Sequence, residues 1–246
     1  MVSASWSALT AFWQTLMLSH WWQNAMLCLG GAQCDLCRLS ADNRLWCRHC
    51  QRYFAPRPRC QRCGLPTPIP VEQCGQCLAS PPLWNRLYCI GDYQPPLSEY
   101  VHRFKYRRQF WLSPPLAQLL TPQIETPAPL LTSVPLHWRR HAWRGFNQSE
   151  LLAVQLIRQW PHSRYQPLFQ RCRATVQQQG LSKAERSRNL RRAFVLSRAP
   201  SVRHIALVDD VVTTGSTVQQ LCKLLLDAGA ETVDIYCLCR TPEPGD

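Results

Sequence analysis

One stretch near the carboxyl terminus limits the folds available to this chain. Ile205–Val208 is a short apolar run typical of a buried strand, and Val233–Leu238 is predicted to be the next strand. Between them, Val218–Ala228 has the pattern of a helix, and Gly229 follows as its stop signal. Strand, helix and strand within about 35 residues have the length of a βαβ unit, whose strands are parallel. The sequence therefore predicts an α/β fold with a parallel sheet and flanking helices.

The residues between the first strand and the helix suit a ligand. Asp209 and Asp210 follow the strand directly, and Gly215 permits a positive φ or close approach of the backbone to a ligand. Backbone N–H groups at a helix N-terminus, with Ser and Thr hydroxyls, bind anions, whereas adjacent carboxylates suit sugar hydroxyls or a Mg²⁺ ion. An ordinary capped turn is the alternative, which the acidic pair disfavours. The predicted binding residues are Asp209, Asp210, Val211, Val212, Thr213, Thr214, Gly215, Ser216 and Thr217.

Two basic segments precede this unit. An arginine-rich stretch, 139–148, follows the strand-like run Leu130–Leu136, and it is predicted to bind pyrophosphate because guanidinium groups bind phosphate oxygens bidentately. Arg171–Phe194 is long, polar and basic, and its residues 177–192 are predicted to form a lid. A solvated basic surface is the alternative for each segment. The loop residues are Arg139, Arg140, Arg144 and Gly145, and the lid residues are Gln178, Lys183, Arg186 and Asn189.

The rest of this half has weaker patterns. A strand is expected at Leu87–Tyr93, a helix at Pro96–Arg108, and a helix at Leu151–Trp160 that begins with a capping sequence at Asn147. The proline-rich stretches Ser113–Pro115 and Thr121–Pro129 are expected to be connectors.

Eight of the fourteen cysteines form four C-x-x-C pairs, separated by 9, 9 and 10 residues. Four thiolates from two such turns make the tetrahedral set that structural zinc prefers, so two zinc sites are predicted. One site would use Cys34, Cys37, Cys47 and Cys50, and the other Cys60, Cys63, Cys74 and Cys77. An interleaved pairing, an iron–sulfur cluster and participation of His49 remain open. No secretory signal or membrane span is apparent, which favours the cytoplasm.

In chain order these segments resemble the ComF/GntX family of phosphoribosyltransferase-like proteins, and most closely its GntX branch, the DNA utilization proteins of Gram-negative bacteria. Ile205–Thr217 is similar to the signature of type I phosphoribosyltransferases. The paired cysteines, the segment VPLHWRRHAWRGFNQ and the segment from Gln178 to Asn189 complete the family pattern. The resemblance extends from about Cys34 to Thr241 and does not account for Met1–Gly30.

The resemblance implies a type I phosphoribosyltransferase-like fold and a ligand, phosphoribosyl pyrophosphate with Mg²⁺. By this likeness Asp209 and Asp210 are the catalytic residues at the ribose hydroxyls, and Thr213–Thr217 hold the 5′-phosphate. The family is linked to competence and to the use of external DNA. Three regions are expected: an amphipathic segment at 1–30, a double Cys₄ module at 31–80 and a phosphoribosyltransferase-like domain at 84–246. Translation that begins at Met26 is an alternative for the first region.

Three functions fit these features. The net charge of +13 favours an anionic partner. In the favoured hypothesis the protein binds a ribose phosphate without turnover, contacts single-stranded DNA and works with DNA-uptake proteins. Six aromatic residues near basic ones are candidates for base stacking, although positions in the core are the favoured interpretation: Trp46, Tyr53, Phe104, Tyr106, Phe110 and Trp111. The alternatives are an active phosphoribosyltransferase in nucleotide salvage and a zinc-dependent adaptor without catalysis.

Overall fold

The computed structural model describes residues 33–41, 44–136, 145–171 and 193–241. The chain forms two compact units, Met1–Ala55 and Pro56–Asp246. The boundary between the units falls inside the cysteine-rich region predicted at 31–80. The predicted N-terminal segment, Arg139, Arg140, Arg144 and the lid residues Gln178, Lys183, Arg186 and Asn189 lie outside the described residues.

The smaller unit contains the first two cysteine pairs. Its described part has one helical turn, α1 (Arg48–Gln51), followed by a 3₁₀ turn at Arg52–Phe54. The rings of Trp46 and Phe54 lie 4.6 Å apart between centroids, and both side chains are buried.

The larger unit is built on a parallel sheet. Its five strands are arranged in the order β1-β7-β6-β2-β3, and each neighbouring pair is parallel. A separate antiparallel pair joins β4 to β5. The strands are β1 (Arg86–Asp92), β2 (Leu130–Ser133), β3 (Arg164–Tyr165), β4 (Phe169–Arg171), β5 (Phe194–Leu196), β6 (His204–Val212) and β7 (Thr232–Arg240).

Helices flank this sheet, as the sequence predicts. The short helix α2 (Gly75–Ala79) lies in the second cysteine group, and the helices that flank the sheet are α3 (Leu97–Tyr106), α4 (Ser113–Leu120), α5 (Gln148–Ile157) and α6 (Ser216–Asp227), with 3₁₀ turns at Phe110–Leu112 and Thr121–Gln123. No helix in the described part of the chain is both long and apolar enough to cross a bilayer.

The predicted βαβ unit is confirmed as β6, α6 and β7. The two strands are parallel neighbours at the centre of the sheet, with Leu207 opposite Ile235, and both side chains are fully buried. Helix α6 packs its apolar residues Val218, Leu221 and Leu225 into the same core. Gly229, which follows the helix, has a φ of 97°, the left-handed conformation that commonly terminates helices.

Two local predictions are wrong. Ser113–Pro115 is the first turn of α4 rather than a connector. Proline is tolerated there because the backbone N–H group that it lacks would have no acceptor in the first turn of a helix. Strand β6 does not end at Val208 but continues through the acidic pair to Val212, since its backbone stays paired with β7 as far as Arg240. The turn between β6 and α6 is correspondingly short.

Candidate functional site

The acidic pair lies at the carboxyl end of the central strand β6, the edge where open parallel sheets bind ligands. Asp209 accepts a hydrogen bond from the Ser149 hydroxyl at 3.2 Å and another from the Asp210 backbone N–H at 2.8 Å. Burial and the neighbouring Asp210 carboxylate raise the pKa of Asp209 from its ordinary value of 3.8 to about 7. Asp209 is therefore able to exchange a proton near neutral pH.

Asp210 has a partner that the sequence analysis missed. Lys105 Nζ, from α3, lies 2.8 Å from Asp210 Oδ1, and the two side chains are only 17% and 11% exposed. Burial opposes the charge on Lys105, but the adjacent Asp210 outweighs it and raises the lysine pKa above its ordinary value. The ion pair brings a cation to the acidic edge. The sequence offers no signal for Lys105, because only the packing of α3 brings it to the end of β6.

The turn after β6 has the backbone geometry that its glycine predicts. Gly215 has a φ of 73° and immediately precedes α6, so only glycine fits this position without strain. The hydroxyls of Thr214 and Ser216 are 2.8 Å apart. Thr213 is exposed, whereas Val212 is buried in β6 and pairs with Arg240. The first N–H groups of α6 and the three hydroxyls thus form one short polar turn beside the acidic pair.

A second helix N-terminus meets the same edge. Asn147 caps α5, because its side-chain oxygen accepts the Ser149 N–H at 3.1 Å, and its amide donates to the Val134 carbonyl at 3.1 Å. This cap places the Ser149 hydroxyl against Asp209. The ring of Phe146 lies 6.0 Å from that of Phe104, between centroids, and so fixes the end of the arginine-rich stretch to α3. The described end of that stretch, which includes Gly145, therefore leads into the acidic site.

The eight paired cysteines form two groups in the predicted sequential pairing. In each group the four sulfur atoms lie within 4.8 Å of one another, and the interleaved alternative is therefore wrong. Tetrahedral zinc with Zn–S bonds of about 2.3 Å requires sulfur atoms about 3.8 Å apart. The Cys37–Cys47 and Cys63–Cys74 sulfur pairs are each 3.7 Å apart, and Cys60–Cys77 is 3.9 Å. Both groups fit a zinc ion. His49 is exposed and belongs to neither.

The second cysteine group is attached to the edge strand of the sheet. The Leu87 N–H in β1 donates to the Gln61 carbonyl at 2.9 Å, so the cysteine turn covers an edge that would otherwise be unpaired. Arg59 donates at 2.9 Å both to the Gly64 carbonyl and to the Asp92 carboxylate at the end of β1. These bonds make the turn at residues 60–64 part of the same compact unit as the sheet.

Known proteins are similar in sequence to most of this chain. The DNA utilization protein YhgH of Escherichia coli is 43% identical over 221 residues, which cover 85% of this chain and 96% of that protein. Competence protein F of Haemophilus influenzae is 37% identical over 206 residues, 79% of this chain and 90% of the relative. The chain belongs to the ComF/GntX family. Competence protein ComFC of Streptococcus pneumoniae, a more distant ComF protein, is 28% identical over 152 residues, 61% of this chain and 66% of the relative.

The family's phosphoribosyltransferase-like domain is also present. Residues 166–246 match the family described as phosphoribosyl transferase domain, a range that contains β6, the polar turn and α6. The ComF/GntX assignment made from the motifs is therefore confirmed, as is the parallel fold preceded by a cysteine-rich region.

Proposed function

We propose that this protein binds phosphoribosyl pyrophosphate, or a closely related ribose phosphate, as its Mg²⁺ complex, and that this binding serves the use or processing of external DNA. The observation that carries the proposal is the acidic pair at the carboxyl end of β6, next to the left-handed turn at Gly215. Carboxylates accept hydrogen bonds from ribose hydroxyls, and the N-terminus of α6 favours a phosphate. The names of the relatives support the link to DNA.

Each side chain has a distinct part in the proposal. Asp209, which is held by the Ser149 hydroxyl, accepts hydrogen bonds from the ribose hydroxyls. The residues Thr213–Thr217 hold the 5′-phosphate. Lys105 keeps Asp210 paired until a ligand and Mg²⁺ supply other partners. When bound, Mg²⁺ offsets the charge of the carboxylates and the phosphates. Arg139, Arg140 and Arg144 bind the pyrophosphate in this proposal, and the lid residues are Gln178, Lys183, Arg186 and Asn189.

Titration calorimetry with phosphoribosyl pyrophosphate and MgCl₂ tests the proposal. Saturable binding that requires Mg²⁺ and weakens at least about tenfold in Asp209→Asn is expected, because a hydrogen bond to a charged group contributes about 1.5–3 kcal/mol. Absence of binding by the zinc-loaded wild-type protein would overturn it. Pyrophosphate release in the presence of a panel of bases then identifies an active phosphoribosyltransferase, whereas binding without release identifies a non-catalytic factor.

A specific surface favours contact with single-stranded DNA. Tyr106 and Trp111 are 48% and 41% exposed, and the exposed Arg107 and Arg108 lie between them in the chain. Aromatic rings beside guanidinium groups stack bases and hold the phosphate backbone. Two other predicted stacking residues, Trp46 and Phe104, are fully or almost fully buried and have no free ring face.

Fluorescence anisotropy with a labelled oligothymidylate tests this surface. Tyr106→Ala and Trp111→Ala are each expected to weaken binding, because stacking contributes about 1–3 kcal/mol per base, and binding should fall as salt rises. Ile69→Ala, at an exposed apolar side chain elsewhere, serves as the control. Equal affinity in all three variants would exclude this surface.

We further propose that both cysteine groups hold zinc, and that the protein resides in the cytoplasm. Eight of the twelve cysteines in the described part of the chain belong to these two groups, and zinc-bound thiolates suit a reducing compartment. Metal analysis should give about two zinc ions per chain, as two Cys₄ sets require. A visible absorption spectrum would instead reveal an iron–sulfur cluster. A protein that holds two zinc ions but binds no ribose phosphate would instead fit the function of a zinc-dependent adaptor without catalysis.

A further inference from the structure

Arg240, the last residue of β7, joins the second cysteine group to the proposed phosphate turn. Its side chain is buried, with 4% exposed. Nε donates to the Cys63 carbonyl at 3.0 Å, and Nη1 donates to the carbonyls of Val212, at 3.3 Å, and Thr213. One guanidinium therefore holds both a cysteine turn and the point where β6 ends and the phosphate turn begins.

Trp84 makes a second connection between the same two parts. Its indole N–H donates to the Arg62 carbonyl at 2.6 Å, inside the C-x-x-C turn. The ring lies against Gly215, where an added Cβ would come within 2.8 Å of the indole. The neighbouring Leu83 N–H donates to the Gln219 side chain of α6 at 3.1 Å. The turn is thus held by Arg240 at its start and by Trp84 at its end.

The carbonyls that Arg240 and Trp84 use belong to a turn whose shape depends on four sulfur atoms. Arg62 lies between the two cysteines of one C-x-x-C pair, and Cys63 is the second of them. The Cys74 N–H donates to Cys60 Sγ at 3.2 Å. A zinc ion bonded to all four sulfurs fixes the direction of these carbonyls, as structural zinc does in other small cysteine modules. The first cysteine group belongs to the other compact unit, Met1–Ala55.

We infer that Arg240 and Trp84 are positioning residues through which zinc in the second cysteine group sets the affinity of the phosphate turn, while zinc in the first group does not. The inference rests on the proposed ribose-phosphate binding and goes beyond it. It assigns the two metal sites different roles. By thermodynamic reciprocity, a ribose phosphate bound at the turn must also tighten the second zinc site and leave the first unchanged.

A matched pair of variants tests the inference. Cys74→Ala and Cys47→Ala each remove one half-buried ligand, from the second and first groups respectively, and each should lower the zinc content from about two to about one. Calorimetry with phosphoribosyl pyrophosphate and MgCl₂ should show a loss of about 5- to 150-fold for Cys74→Ala, the usual range of coupling between sites. Cys47→Ala should bind like the wild type. Equal affinities in the two variants overturn the inference.

Two further measurements keep the test valid if Cys74→Ala fails to fold. In the wild-type protein, phosphoribosyl pyrophosphate should slow the release of one zinc ion to a chelator and leave the other unaffected; unchanged release of both overturns the inference. Arg240→Lys, which replaces the guanidinium group with a single ammonium group, and Trp84→Phe, which removes the indole N–H, should keep both zinc ions and still bind more weakly. Wild-type affinity in both variants counts against the inference. Failure of the wild type to bind at all refutes the proposed function instead.

Discussion

At the residue scale, Asp209 gives the site a pH dependence. Its folded pKa of about 7 lies above its ordinary value of 3.8, so the folded protein holds a proton that the unfolded chain has lost. The contribution of Asp209 to the free energy of unfolding is therefore fully present below pH 3.8, and it is lost as the pH rises through about 7. Ribose hydroxyls need the ionised carboxylate. We expect the affinity for phosphoribosyl pyrophosphate with Mg²⁺ to rise about tenfold from pH 6 to pH 8, measured by calorimetry.

Asp209→Asn is the control, since any pH dependence that it retains comes from the phosphates of the ligand. An identical pH profile in the wild type and this variant would contradict the role of Asp209. The single variant is preferable to one that also replaces Asp210, because Asp210→Asn would leave the amine of Lys105 without its carboxylate partner. Loss of binding in the double variant would combine two causes.

Lys105 supports a second prediction at this scale. Lys105→Met removes the cation from a largely buried pair and leaves the Asp210 side chain without that partner. Loss of one partner of a buried ion pair costs about 3–5 kcal/mol, and urea unfolding at pH 8 should show a decrease of that order. Lys223→Met, which breaks an exposed pair with Asp227, should change stability by about 1 kcal/mol or less. Similar effects in the two variants would show that the buried ion pair of Lys105 contributes no more to stability than an exposed pair.

At the element scale, the turn between β6 and α6 depends on Gly215. Gly215→Ala places a Cβ at a φ of 73° and within 2.8 Å of Trp84, whereas Gly229→Ala has a φ of 97° and open space. A left-handed conformation costs an L-residue about 1–2 kcal/mol, so both variants should have a lower melting temperature. Only Gly215→Ala should also lose affinity for the ribose phosphate. Equal affinity in both variants would show that the turn does not contact the ligand.

The same elements show how far sequence patterns extend. The long periodic elements β6, α6 and β7 are predictable, because apolar spacing reflects burial. Strands β3, β4 and β5 have two or three residues, too few to show a period. Within the candidate site, the acidic pair and Gly215 are recognisable because they are adjacent in the chain. The partners Lys105 and Ser149 are not, since only the packing of α3 and α5 brings them to β6.

At the scale of the whole molecule, the two cysteine groups belong to different compact units. The second group lies in Pro56–Asp246 with the sheet, and its carbonyls accept hydrogen bonds from Leu87, Trp84 and Arg240. A cysteine-rich module that ends before residue 84 would separate these donors from their acceptors. The physical domain is therefore expected to begin near residue 56, and the sequence boundary at residue 84 divides it.

Two fragments distinguish these boundaries. Residues 56–246 should unfold cooperatively, hold about one zinc ion, as one Cys₄ set requires, and bind phosphoribosyl pyrophosphate like the full chain. Residues 84–246 lose the acceptors at Arg62 and Cys63 and expose the edge of β1, so this fragment should aggregate or melt at a much lower temperature. Calorimetric unfolding and metal analysis of both fragments decide the matter. A stable, ligand-binding 84–246 fragment would show that the second cysteine group is dispensable to the sheet, since the turn would then keep its shape without Cys63.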